Sequence, residues 1–132
     1  MLAFKVVVER TPILFTPVTR YADPRVSYQL QYRTEQDPNQ QGPFAVFAKY
    51  EQALAFMRIN TQYNARACIV VCEYEPSTEW SLWWKDANGY HKSRTPSYMY
   101  PDGTVLAKAV KPLYALHPTS AELEGAAELE GA

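Results

Sequence analysis

The sequence predicts an α+β domain in which a twisted, mostly antiparallel sheet carries one main helix. Three observations predict it. Gly42 to Glu75 reads strand, helix, strand: Phe44 to Ala48 is apolar, Lys49 to Asn60 is Ala-rich with Tyr50, Ala53, Leu54, Phe56 and Met57 on one stripe, and Ala67 to Cys72 is an apolar run. Val26 to Arg33 alternates, with Val26, Tyr28, Leu30 and Tyr32 on one face and Ser27, Gln29, Gln31 and Arg33 on the other, the period of a half-buried strand. Asp86-Ala87-Asn88-Gly89 lies between Glu79–Lys85 and Tyr90–Thr95, and Asn-Gly is a strong hairpin signal.

The remaining elements follow in order. Leu2 to Glu9 is valine-rich without alternation, which predicts a central strand covered on both faces and stopped at Thr11-Pro12. Ile13 to Val18 reads as a short edge strand, because Pro12 and Pro17 each remove a ladder donor, and Ala22-Asp23-Pro24 as a turn. Thr34 to Gly42 is polar and reads as a loop. A two-residue turn at Asn88-Gly89 sets Lys85 opposite Lys92, a like-charge pair, so a longer loop with a bulge is the alternative. Tyr100-Pro101-Asp102-Gly103 is a turn, and Thr104 to Leu116 is one or two strands broken at Pro112.

At 132 residues the chain has the size of one domain, which the sequence places at 1–118. Residues 119–132 form an acidic low-complexity tail in which Ala-Glu-Leu-Glu-Gly-Ala occurs twice. Thr119 with Glu122 fits a capping box, but two glycines each cost about 1 kcal/mol of helix, so the tail reads as disordered or as a frayed helix, a solvated spacer rather than a docking peptide. The formal net charge is −1, but with Glu122, Glu124, Glu128 and Glu130 set aside 13 basic residues face 10 acidic ones. That balance falls short of a dedicated nucleic-acid binder.

Cys68 and Cys72, four apart in one strand, lie ~13 Å apart along it and cannot bridge each other. They read as reduced core thiols, which suits the cytoplasm, or a virion if the chain is viral. The N-terminal segment lacks a basic flank and an uninterrupted apolar region, and no apolar run approaches ~20 residues, so neither a signal peptide nor a membrane span is expected.

Catalytic patterns are sparse. His91 and His117 stand far apart in the second half, with no nucleophile beside either. Glu73 and Glu75 share a strand face, where two carboxylates can raise one another's pKa, although a solvated strand end is the plainer reading. No metal or cofactor is called for, since Cys68 and Cys72 have no companion ligands. The aromatic crowd from Trp80 to Tyr100 is the best contact surface: Trp80, Trp83, Trp84, Tyr90, Lys92, Arg94 and Tyr98 combine flat rings with cations, as protein interfaces and single-strand nucleic-acid platforms both do. Adjacent Trp83 and Trp84 point to opposite strand faces, so at least one belongs to the core, and Trp83 with Arg94 is a candidate cation-π pair.

From Tyr28 onward the order of elements resembles the split-sheet scaffold of the ADP-ribosyltransferase superfamily, carried by Gly42-Pro43-Phe44-Ala45-Val46-Phe47, Ala53, Phe56 and Cys68 to Tyr74. Pro101 to Ala107 with Val110-Lys111-Pro112-Leu113 looks like small uncharacterised proteins of phage and mobile-element type. The first resemblance implies an NAD site near Arg10, Tyr28 and Glu75. Arg10 stands for the family's early cation, Ala45 and Ala48 replace its Ser or Thr, and Thr104 to Leu116 offers no late acid, so the transfer apparatus is absent or relocated to Glu73 and Glu75. The expectation is therefore a non-catalytic protein-interaction module of viral or mobile-element type, compatible with a self-associating subunit. An NAD-using transferase and a single-stranded nucleic-acid binder are the alternatives.

Overall fold

The computed structural model describes residues 1–17, 26–37, 42–60, 66–79, 82–85, 91–95 and 102–131, with the backbone alone at 60, 84–85, 91–95 and 126–131. Along these residues run β1 (Leu2–Thr11), β2 (Leu14–Pro17), β3 (Tyr28–Gln29), β4 (Thr34–Glu35), β5 (Phe44–Phe47), α1 (Tyr50–Asn60), β6 (Ala67–Pro76), β7 (Leu82–Lys85), β8 (His91–Thr95), β9 (Thr104–Leu116) and α2 (Ser120–Gly131). The mixed composition and the antiparallel pairing match the prediction.

Strand alternation sorts the apolar residues into two layers. Ala3 and Val7 of β1 join Cys68, Val70 and Cys72 of β6, Phe44 and Val46 of β5, and Tyr28 of β3 in one buried cluster. Their neighbours Val6, Phe47, Ala67 and Ile69 join Ala53, Leu54, Phe56 and Met57 of α1 in a second. A strand covered on both faces needs apolar side chains at odd and even positions alike, which is why β1 and β6 carry unbroken apolar runs.

The twisted antiparallel sheet closes on itself, which the sequence reading does not foresee. β6 pairs with β1 from Leu2↔Glu73 to Val8↔Ala67, and its other edge pairs with β9 from Ile69↔Leu116 to Pro76↔Ala107. β9 pairs on its far side with β5, and β5 meets β1 at Phe4↔Phe47, so β1, β6, β9 and β5 form a small barrel. The length of β9 makes this possible, since its 13 residues reach β5 at one end and run along β6 at the other, with bulges that bend the wall. The first cluster fills the interior. α1 packs on the outer wall, and α2, with 12 residues against 11, lies beside it, so the prediction of one main helix is met only in part.

Five local expectations change. The loop predicted over Thr34–Gly42 begins instead as β4, with Thr34 opposite Val110 and Glu35 opposite Ala109 of β9. The strand predicted over Val26–Arg33 is cut to Tyr28–Gln29, because Gln31 takes φ 69° and Tyr32 N donates to Gln29 O in a turn. Val26 and Tyr28 are buried as the alternation requires, whereas Tyr32 beyond the turn is 62% exposed. β2 is no edge: it lies between β1 and β3, and Thr11 Oγ1 accepts from Ile13 N and Leu14 N to close the turn at Pro12. β9 runs through Pro112 unbroken, because a bulge falls between Tyr114↔Val71 and Pro112↔Cys72, while the Pro112 carbonyl accepts from Gln31 N. β7 and β8 form a separate two-stranded sheet with Lys85 opposite His91, the longer-loop hairpin with a bulge.

The C-terminal segment forms α2, and its first turn carries the capping box: Glu122 N donates to Thr119 Oγ1 at 3.2 Å and Thr119 N to Glu122 Oε1 at 3.3 Å. Tyr50 Oη donates to Glu122 Oε2 at 2.9 Å, and Leu123 packs against the second cluster. Thr119→Ala is expected to cost about 1 kcal/mol of α2 stability, read as faster amide exchange at Leu123 with the barrel amides unchanged.

Candidate functional site

Two insertions leave the barrel wall at one level. β4 and β5 lie on the same edge of β9, as Glu35↔Ala109 and then Phe44↔Ala107, so the chain between them exceeds what the wall needs. Pro76 also stands opposite Ala107, and beyond it the chain departs toward the β7–β8 hairpin. The insertions touch where Gly42 N donates to Trp83 O at 2.7 Å.

At their foot lies a cleft of about 360 Å³ lined by residues that include Arg33, Glu35, Gln36, Glu75, Glu79 and Lys108. Backbone bonds shape its floor, with Gln36 N donating to Lys108 O and Ser77 N to Leu106 O. A ladder of charges crosses it: Arg33 Nε lies 2.8 Å from Glu35 Oε1, Arg33 Nη2 2.9 Å from Glu75 Oε1, and Lys108 Nζ 3.4 Å from Glu75 Oε2. Glu79 is oriented by two neutral donors, Trp83 Nε1 at 3.0 Å on Oε1 and Gln36 Nε2 on Oε2. Hydrogen bonding from Arg33 holds the Glu75 carboxyl below the usual range, and bonding to Glu35 and Glu75 raises the Arg33 guanidinium.

Glu73 and Glu75 do not form the pair of mutually raised carboxylates, and the plainer reading of a solvated strand end fits Glu73. Glu75 titrates in the opposite direction because two cations flank it, and Glu73 is exposed between Leu2 and Lys111. The thiols are not poised either. Burial pushes Cys68 up to about 12 and Cys72 up to about 11, with Glu9 reinforcing the first and Lys5 opposing the second. Both are free and buried, as the sequence reading expects. His117 Nε2 sits 3.5 Å from Glu9 Oε2 at the exposed end of β9.

Arg10, Tyr28 and Glu75 are not brought together. Arg10 follows the Val8↔Ala67 end of the β1–β6 ladder and donates to Thr16 Oγ1, whereas Glu75 lies beyond the Leu2↔Glu73 end, roughly 33 Å away along the strand. Tyr28 is fully buried in the interior.

The predicted contact residues fare unevenly. Trp83 is half-buried and turned toward Gly42 and Glu79, an anchor of the hairpin. Trp84 stands opposite Lys92 on the hairpin backbone, and Arg94 lies in β8. Trp80, Tyr90 and Tyr98 lie outside the described residues, and so does a Trp83–Arg94 ring contact, since the Arg94 side chain is not described.

Lys5 is the residue that sequence reasoning missed. It is 5% exposed inside the barrel, its Nζ donates to Ala45 O at 2.7 Å, and the same atom stands 5.3 Å from the Tyr28 ring centroid. Burial lowers the amine from 10.5 to about 8, with the Cys72 thiol acting weakly the other way. A signal existed: in a strand read as covered on both faces, a lysine in phase with Ala3 and Val7 has to be buried.

Among the described residues no group of three His, Cys, Asp or Glu side chains is placed to hold a metal, and no helix is long and apolar enough to cross a membrane. Comparison with models of known protein families, with curated proteins and with solved structures returns no match to this chain.

Proposed function

We propose that the chain is a non-catalytic protein-interaction module of viral or mobile-element type that binds its partner through the β7–β8 hairpin. One observation carries the reading: two insertions rooted at Ala107 are tied together by Gly42, Trp83, Glu79 and Gln36, so the hairpin stands as a separate sheet on a fixed foot. Loops held by a rigid scaffold are where binding residues concentrate. The chemistry around it supports binding over catalysis, because the cleft carboxylate Glu75 is paired with Arg33 and Lys108 and both thiols are held protonated at neutral pH. In this reading Trp83 anchors the hairpin, and Trp84, Tyr90, Lys92, Arg94 and Tyr98, with Trp80, supply the contact. The partner is a protein met in the cytoplasm, where the thiols stay reduced.

The test is affinity capture from host lysate with the wild type, the triple variant Trp84→Ala, Lys92→Ala, Arg94→Ala, and an Arg58→Ala control on the exposed side of α1. A stoichiometric partner held by the wild type and the control but lost from the folded triple variant is the expected result. Retention of that partner by the triple variant overturns the reading.

A further inference from the structure

The seam between β1 and β5 is the thinnest part of the barrel wall. β1 runs in register with β6 from Leu2 to Val8, yet it meets β5 at the single pair Phe4↔Phe47. If that ladder continued, Val6 would stand opposite Ala45. The strands part there instead, and the Ala45 carbonyl accepts from Lys5 Nζ, so a side chain supplies the tie that the backbone does not. Lys5 is also the one charged side chain buried among the described residues. The groups facing it are the Ala45 carbonyl of β5, the Tyr28 ring of β3 and the Cys72 thiol of β6, and no described carboxylate acts on its charge.

We propose that Lys5 makes the β1–β5 seam the opening point of the barrel, parting to hydrate the ammonium and exposing the Cys72 side of the interior while β1, β6 and β9 stay paired. An ammonium in an apolar interior without a counterion gains its lost hydration when the seam parts, whereas the neutral amine gains little. The frequency of opening therefore follows the protonation of Lys5. With the amine at about 8 inside and 10.5 in water, opening falls about tenfold between about pH 7 and about pH 9. Cys72 stands opposite Ala3 on the ladder, one residue pair from Phe4, and its thiol donates to Ala3 O at 3.6 Å. Cys68 stands opposite Val7 toward the other end, so a local opening separates the two thiols and a global one does not.

The test is alkylation by iodoacetamide of the single-thiol variants Cys68→Ala and Cys72→Ala under native conditions. Each rate is divided by that of the same variant unfolded in urea at the same pH, which cancels the thiolate chemistry. The expected result is that Cys72 reacts ahead of Cys68, that dilute urea leaves its rate unchanged, and that its normalised rate falls about tenfold from about pH 7 to about pH 9 and becomes flat when Lys5→Met is added. Equal rates for the two thiols overturn the proposal, as does a normalised Cys72 rate independent of pH in the protein that retains Lys5. Should Lys5→Met not fold, these two readings on the Lys5-bearing protein decide the matter.

Discussion

Raising the pH stabilises the wild type relative to its Lys5→Met variant, by about 1.3 kcal/mol between about pH 7 and about pH 9 and by about 3 kcal/mol once pH reaches about 10.5. The sign follows from proton counting. The unfolded chain holds a lysine at 10.5 and the folded one at about 8, so between those values the unfolded state binds more protons and stability rises with pH. Below about pH 8 the whole cost of burying the charge is present. The thiols act in the opposite sense: their folded pKa values of about 12 and about 11 exceed the 9.0 of a thiol in water, so the unfolded chain ionises first and stability falls above about pH 9. Tyr50, raised from 10.0 to about 12 chiefly by burial and then by its bond to Glu122, adds a further fall above about pH 10. Taken alone, the wild type gains stability above neutrality and then loses it. The difference from Lys5→Met removes the thiols and the tyrosine, because both proteins carry them, and the loss of the bond to Ala45 O adds only a pH-independent offset. Urea unfolding at a series of pH values measures it, and a difference that stays constant with pH would show that Lys5 is hydrated in the folded state.

How much of this could be read beforehand depended on whether a residue's fate is decided locally. The strand–helix–strand unit was legible because its signals are local, namely the apolar runs at 44–47 and 67–72 and the stripe on α1 that Ala53, Leu54, Phe56 and Met57 now bury. The capping box at Thr119 and Glu122 was legible for the same reason. Closure of the barrel was not, since it rests on β1 meeting β6 and β5 across more than forty residues, and antiparallel pairs at that separation leave no local trace. Gln31 shows the same limit. Its place in an alternating run reads as strand, but its side-chain Nε2 donates to Leu113 O and its backbone N to Pro112 O, and those distant partners hold the positive φ that ends β3. The cleft is half visible in the sequence: Glu75 shares a strand face with Glu73, but Arg33 and Lys108 decide its charge state, and neither is near it along the chain.

Gly42→Ala is expected to unseat the hairpin without unfolding the barrel. A Cβ at residue 42 falls 2.5 Å from both Cδ1 and Nε1 of Trp83 and 3.0 Å from Cε2, so the clash is with the indole ring itself. The ring is held on two sides. Its Nε1 donates to Glu79, and the Trp83 carbonyl accepts from Gly42 N, so sliding away forfeits a bond to a carboxylate or the link between the insertions. Overpacking at such a contact costs about 1–3 kcal/mol. The lost indole bond to Glu79 costs about 1.5–3 kcal/mol if the ring leaves altogether, so the cheaper route sets the outcome at about 1–3 kcal/mol. That cost falls on the foot of the hairpin, because Gly42 and Trp83 belong to neither buried cluster. Amide exchange at Gly42 should therefore quicken while the β6–β9 ladder keeps its protection, and partner capture should drop at least tenfold if the hairpin is the contact surface. Glu79→Gln supplies the graded comparison, since its amide oxygen still accepts the indole N–H while the charge is gone. A Gly42→Ala protein with unchanged exchange at residue 42 would mean that the Trp83 ring rests elsewhere and that the insertions are not tied at this point.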